Sequence, residues 1–319
     1  MKINELVDGC TAQLVLLVGT LSYAKTKTGR DYCDISCMDS TGSIVVKVWD
    51  LAIMPVGIAS GDIVSVSGAC NEFNGALQIK ANIIKVVSGA TYSKEDFYPA
   101  SRFSLDSLLK SFNKLMEHVQ DPWLRLLLDH FFVKDSQFFE KFIAAPAAVT
   151  VHQNYLHGLL EHTVCVARNA LMIAKNYSCL NVDVVVTASL LHDVGKVYEI
   201  SEFPTLEYTD VGHLMGHVYY GSFMVQQACD SISGFPLELK QEIVHCILAH
   251  SGKLEWGSPV VPSSPEAYAV HVADFLDSKM ALFQSSLEGV KDGEWSQHSR
   301  YLGTSVHRLR YEGEDLSDG

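Results

Sequence analysis

The chain has 319 residues, 48% of them apolar and 19% charged, with a formal net charge of −13 at pH 7. Such a length suits two domains and a full hydrophobic core, while the acidity excludes a protein that coats nucleic acid by bulk charge. No stretch reaches the roughly 18 uninterrupted apolar residues of a membrane span, and MKINELVDGC lacks the basic-then-apolar order of a signal peptide, so a cytoplasmic chain without membrane contact is expected.

The eight cysteines show no CxxC or zinc-ribbon spacing and read as reduced thiols. Charge is uneven: residues 1–90 carry 7 Lys+Arg against 8 Asp+Glu, the remainder 17 against 29. The acidity therefore belongs to the second part.

The first ninety residues read as β-structure. AQLVLLVGTLSY runs into the turn-like TKTGR, and DYCDISCM follows with Cys33, Ile35 and Cys37 alternating against Asp34 and Ser36. After the DSTG turn (39–42), SIVVKVW keeps the period of two. A looser stretch (50–60) precedes GDIVSVSGA, and the NEFNG turn leads to ALQIKANIIKVV. Five strands with one interruption suit a small closed barrel of the OB kind; a sandwich or SH3-like barrel fits the same pattern.

Residues 91–103, TYSKEDFYPASRF, lack periodicity and read as a linker. From Ser104 the period becomes 3.6: Leu105, Leu108, Leu109, Phe112, Leu115 and Met116 share one helical face. Helices are predicted at 122–132, 135–144, 157–177, 182–193, 211–230, 236–250 and 264–290. In the third of these, Leu160, Val164, Ala167, Leu171 and Ala174 form a buried stripe. The expected organisation is multidomain, β then all-α: a barrel over 1–90 for nucleic-acid binding, a linker over 91–103, a helical domain over 104–310 and a disordered acidic tail over 311–319.

ASLLHDVGKVYEI places His192-Asp193 at the end of an apolar helix, with Gly195 and Lys196 immediately after. A lone histidine on a helix is usually a packing residue. Here His162 (GLLEHT), His217 (GHLMGHVYYG), His250 (ILAH) and Asp274 (HVADFLDSKM) share that apolar helical setting, where an unpaired polar group is costly. A shared metal ion is one way to satisfy them together. Mixed imidazole and carboxylate ligands favour Mn²⁺, the ion expected first, or Fe²⁺ and Co²⁺, over Mg²⁺. No cysteine joins the set, which argues against structural zinc.

The order His…His-Asp…His…His…Asp, with LLEHT, LLHDVGK, GHLMGH, ILAHSGKLEWGSPV and ADFLDSKM, resembles the HD-domain metal-dependent phosphohydrolases. With the five-stranded segment in front, nearly the whole chain resembles the YhaM-type 3′→5′ exoribonucleases. The resemblance implies that His162, His192, Asp193 and Asp274 bind a first divalent ion. It further implies that Asp193 bridges to a second ion touching His217 and His250, and that Lys196 faces substrate phosphate. Asp193 and Lys196 are thus the expected catalytic residues. One departure stands out: His250-Ser251-Gly252 occupies the place of the family's His-His-Gly, which puts the second ion in doubt and leaves one or two ions per chain. Polarity comes from the resemblance alone.

For nucleic-acid contacts the candidate patch is SYAKTKTGRDY (22–32): Lys25, Lys27 and Arg30 flanked by Tyr23 and Tyr32, with Trp49, Phe73 and Lys80 on neighbouring strands or turns. The alternative is a solvated turn with two half-buried tyrosines. Trp256, in the loop GKLEWGSPV after His250, is placed either to stack a terminal base or to cap the core. The expected activity is metal-dependent 3′→5′ hydrolysis of single-stranded RNA, or single-stranded DNA, to mononucleotides; homo-oligomerisation is left open. The competing readings are an HD phosphohydrolase of free or cyclic nucleotides and a non-catalytic nucleic-acid-binding regulator, Ser251 being the first sign of decay.

Overall fold

The computed structural model describes every residue except 27, 74, 88–91, 93–95, 99–100, 150–152, 204–205 and 311–319. Lys27, part of the expected linker and the acidic tail therefore lie outside the described residues. The chain forms two compact units, Met1–Arg102 with Ile200–Tyr208, and Phe103–Glu199 with Thr209–Gly319. The Ile200–Tyr208 segment, within the stretch assigned from sequence to the helical domain, groups with the first unit.

Strands β1 (Thr11–Lys25), β2 (Asp31–Asp39), β3 (Gly42–Val48), β4 (Ile63–Phe73) and β5 (Ala76–Val86) close into a barrel ordered β1-β2-β3-β5-β4. β3 and β5 pair in parallel, and the other neighbouring pairs of the barrel are antiparallel. This is the OB-type arrangement, and it follows from the alternation. Cys33, Ile35 and Cys37 point inward opposite Val48, Val46 and Ile44, all of them buried, so a one-residue slip would put polar groups into the core. The interruption between β3 and β4 holds a short 3₁₀ turn, Leu51–Ile53, capped by Asp50.

The second unit consists of α1 (Leu105–His118), α2 (Pro122–Asp129), α3 (Ser136–Ala144), α4 (Gly158–Asn176), α5 (Val182–Leu191), α6 (Lys196–Glu199), α7 (Asp210–Leu214), α8 (Gly216–Ser231), α9 (Leu237–Ala249) and α10 (Pro265–Ser286). Starts are set by local chemistry: Ser104 caps α1, Asp121 caps α2 ahead of Pro122, and Asn181 caps α5. Helix α5 is buried from Val184 to Leu191 on every side, as its lack of a polar face dictates.

Three predicted helices differ from those observed. The helix at 211–230 is split into α7 and α8 at Met215–Gly216, Gly216 having φ +71°. The Glu199 carboxylate accepts the His217 N–H at 3.0 Å, fixing where α8 begins. Past Asp129 the 122–132 helix loosens into a π-helical turn, His130–Lys134. The last helix ends at Ser286; beyond it, isolated bridges join Trp295 to His307 and Ser299 to Thr304. All eight cysteines are free. Among the described residues, no helix is long and apolar enough to cross a membrane.

Candidate metal centre

Because α5 is buried on every side from Val184 to Leu191, its C-terminus carries His192 and Asp193 into the interior, where both are buried. A four-residue turn follows before α6, and Gly195 sits in it. Its φ is not positive, so it is not a left-handed helix cap. It is small because α8 lies against it: a Cβ there would stand 2.2 Å from the His217 carbonyl oxygen.

Around this turn the imidazoles converge through one nitrogen each. His162 Nε2 stands 3.4 Å and His192 Nε2 3.3 Å from Asp193 Oδ2, and the two Nε2 atoms are 3.2 Å apart. On the other carboxylate oxygen, His217 Nε2 and His250 Nε2 lie 3.5 and 3.7 Å from Asp193 Oδ1. Asp274 Oδ1 approaches His162 Nε2 at 3.2 Å. Two donor triads thus share Asp193: His162-His192-Asp193 and Asp193-His217-His250. Lys196 places its ammonium 2.7 Å from Asp193 Oδ2.

Each ring is held from behind by its other nitrogen. His162 Nδ1 donates to Asp277 Oδ2 at 2.8 Å, His192 Nδ1 to the Ser189 carbonyl at 2.7 Å, and His250 Nδ1 to the Ile247 carbonyl at 2.7 Å. His217 Nδ1 donates to Glu199 at 2.8 Å. An imidazole donating through Nδ1 presents a lone pair at Nε2 when neutral. Four such lone pairs facing one carboxylate repel one another unless a proton or a cation lies between. Asp193 Oδ1, moreover, is buried with no hydrogen-bond partner. The donor set therefore fits a divalent cation, or two cations bridged by Asp193.

Ionisation follows the same geometry. Burial pulls the His162 imidazolium down, but contacts with Asp193, Asp274 and Asp277 outweigh it and raise its pKa well above the ordinary value. His250 lacks comparable compensation, and burial pushes it down to about 4. Asp193 is opposed by burial yet held well below the usual carboxylate range by His192 and Lys196. Asp274 is likewise lowered against burial, chiefly by His162.

Three supporting residues had no role in the sequence reading. Glu199 holds His217 by both ring and backbone; Asp277 holds His162; and Gln153 Nε2 donates to Asp277 Oδ2 at 3.2 Å. Asp277 was findable, since it sits one helical turn after Asp274. Gln153 has φ +60°, and its carbonyl passes so close to Gly158 that a Cβ there would lie 2.0 Å away.

On the barrel, Tyr32 and Trp49 come together with ring centroids 4.9 Å apart, and Lys47 Nζ lies 5.3 and 5.6 Å from their centroids. Tyr23 and Phe73 are well exposed. The positive patch is weaker than its sequence suggests: Lys25 is paired with Asp31 at 2.8 Å, and Lys47 with Asp34 at 2.8 Å. Arg30 is in the β1–β2 turn, exposed, and Lys80 is on β5. Trp256 is on the loop after α9, stacked on Phe275 rather than inside the core.

Residues 159–279 match the HD domain family. The fold and site thus define a two-part protein, a five-stranded barrel joined to an HD domain. The 3′-5′ exoribonuclease YhaM of Halalkalibacterium halodurans is 30% identical over 290 residues, which is 90% of this chain and 89% of that protein. The protein of that name from Bacillus subtilis is 30% identical over 88% of this chain and 89% of its own length. The chain belongs to the YhaM family of 3′-5′ exoribonucleases. Among solved structures, a domain of replication protein A from Methanococcus maripaludis is 26% identical and aligns over 27% of this chain and 93% of its own, with a TM-score of 0.25.

Proposed function

We propose that the protein removes mononucleotides from the 3′ end of single-stranded RNA by metal-dependent hydrolysis, the barrel retaining the strand and the helical unit cleaving it. The observation that carries this reading is the set of four imidazoles, each anchored through Nδ1, turning Nε2 toward the two oxygens of one buried carboxylate. The family relationship supplies the direction and the polymer.

His162, His192, Asp193 and Asp274 would hold a first ion; Asp193, His217 and His250 would hold a second, without an imidazole at Ser251. Mn²⁺ is the ion we assign. Such an ion, when bound, lowers the pKa of water and polarises the phosphoryl P–O bond. The chain's own residues do the rest. Asp277 and Glu199 fix tautomer and aim at His162 and His217. Lys196 supplies a positive charge that balances Asp193 and, in our assignment, takes a non-bridging phosphoryl oxygen as its second partner. Tyr23, Tyr32 and Trp49 would stack bases on the barrel, with Lys25 and Arg30 at its turn meeting phosphates. Free thiols throughout accord with a cytoplasmic site of action.

The test is digestion of single-stranded RNA labelled at its 5′ end. With Mn²⁺ the label shortens in single-nucleotide steps, and EDTA stops it. Intact oligomers beside hydrolysed free nucleotides would instead identify a small-nucleotide phosphohydrolase.

A further inference from the structure

The loop that leaves the metal centre at His250 carries an exposed aromatic pair. Trp256 and Phe275 lie with ring planes 2° apart and centroids at 5.5 Å, and they are 47% and 40% exposed. Each is tied in sequence to the centre: Phe275 follows Asp274 on α10, and Trp256 is six residues past His250.

The loop is anchored. His271 Nδ1 donates to the His250 carbonyl at 2.8 Å, and its ring fills the space beside Gly252, where a Cβ would stand 2.1 Å from it. Ser258 Oγ contacts the Leu248 and Val260 carbonyls at 3.0 and 2.7 Å, and Gly257, at φ +89°, closes the Leu254–Trp256 turn. His271 lies 6.3 Å from Trp256 and 6.1 Å from Phe275, extending the ring cluster.

Two ammonium groups attend these rings. Lys253 Nζ is 4.4 Å from the Trp256 centroid and Lys279 Nζ is 5.4 Å from that of Phe275. Their other partners are weak: Lys253 meets exposed Glu255 at 3.5 Å, and Lys279 the Tyr301 carbonyl at 3.4 Å. A base stacked on an aromatic ring is the stronger interaction than a solvated cation over it. An arriving base would therefore displace a lysine and leave its charge beside the phosphate that accompanies that base.

We propose that Trp256 and Phe275 form the stacking floor for the base of the strand's terminal nucleotide, with Lys253 and Lys279 meeting the neighbouring phosphates. The proposal rests on the exonuclease reading above. Because every base has a stacking face, such a floor accepts any terminal base, as stepwise degradation demands.

The experiment uses the full chain in EDTA, a fluorescein-labelled single-stranded RNA decamer, and a matched decamer whose 3′-terminal nucleotide lacks its base. The variants are Trp256→Ala and Phe275→Leu, the latter retaining apolar bulk. Each is expected to weaken binding of the intact decamer about tenfold, a loss within the range of one base stack. Removing the terminal base should cost the wild type a similar factor and cost Trp256→Ala nothing more. Mn²⁺ binding isotherms of both variants should match the wild type. Variants that bind both decamers as the wild type does would overturn the floor, as would unchanged RNA binding together with a smaller native mass, which would mean that copies of the chain cover these rings. A wild type that digests RNA while the variants digest it equally well sinks this inference alone; a wild type that digests none removes the reading beneath it.

Discussion

The pocket around Asp193 and the aromatic face of the barrel solve opposite problems. In the pocket, His162, His192 and His250 are buried and each is fixed by a second contact, so removing one group leaves others unpaired in a medium where that is expensive. On the barrel, Tyr23 and Trp49 are exposed and Tyr32 lies half-buried against Trp49, outside the barrel core, and nearby lysines are already paired with aspartates. The first arrangement is all-or-none; the second is graded, each side chain adding a modest share of strand affinity.

That contrast can be broken experimentally. The largest effect belongs to Asp193→Asn, which removes the charge shared by both triads. Turnover on RNA should fall at least about a thousandfold, equivalent to roughly 4 kcal/mol of transition-state stabilisation. Next come the outer carboxylates. Asp277→Asn frees His162 to turn, and Mn²⁺ affinity measured by calorimetry should drop about 10- to 100-fold in a chain whose circular dichroism is unchanged; an unaltered isotherm would show that Asp277 does not orient the ligand. Gly195→Ala forces the turn after α5 away from α8, and a thermal melt should report a loss of about 1–3 kcal/mol, since the clash is with backbone that no rotamer can relieve.

The barrel effects are smaller. Trp49→Ala should weaken binding of single-stranded RNA by about 1–3 kcal/mol while leaving the Mn²⁺ isotherm alone, which separates the two regions cleanly. Arg30→Ala should change least, reducing the slope of log affinity against log salt by about one phosphate contact. If Arg30→Ala cost more than Trp49→Ala, charge rather than stacking would govern the barrel.

The same contrast explains what could be read from the amino acids. Strand alternation around Cys33, Ile35 and Cys37 and the stripe from Leu160 to Ala174 are direct consequences of burial, and both positions and faces follow from them. The inner ring of the pocket was legible because His and Asp are conspicuous inside apolar helices. Its outer ring was not. Glu199 and Asp277 lie on helices where a carboxylate ordinarily faces water, and Gln153 reaches Asp277 across 124 residues. The break at Gly216 was hidden because helical periodicity runs through it, and the contact that fixes it comes from Glu199. The positive turn at Lys25 looked stronger than it is because Asp31 lies just beyond the acid-free run yet directly across the hairpin.

The most direct measurement is a calorimetric titration of metal-stripped protein with Mn²⁺, run beside Asp193→Asn. The account predicts saturation at one or two ions per chain for the natural protein and no measurable uptake by the variant. Equal uptake by both, or none by either, would mean that the converging imidazoles serve something other than a cation.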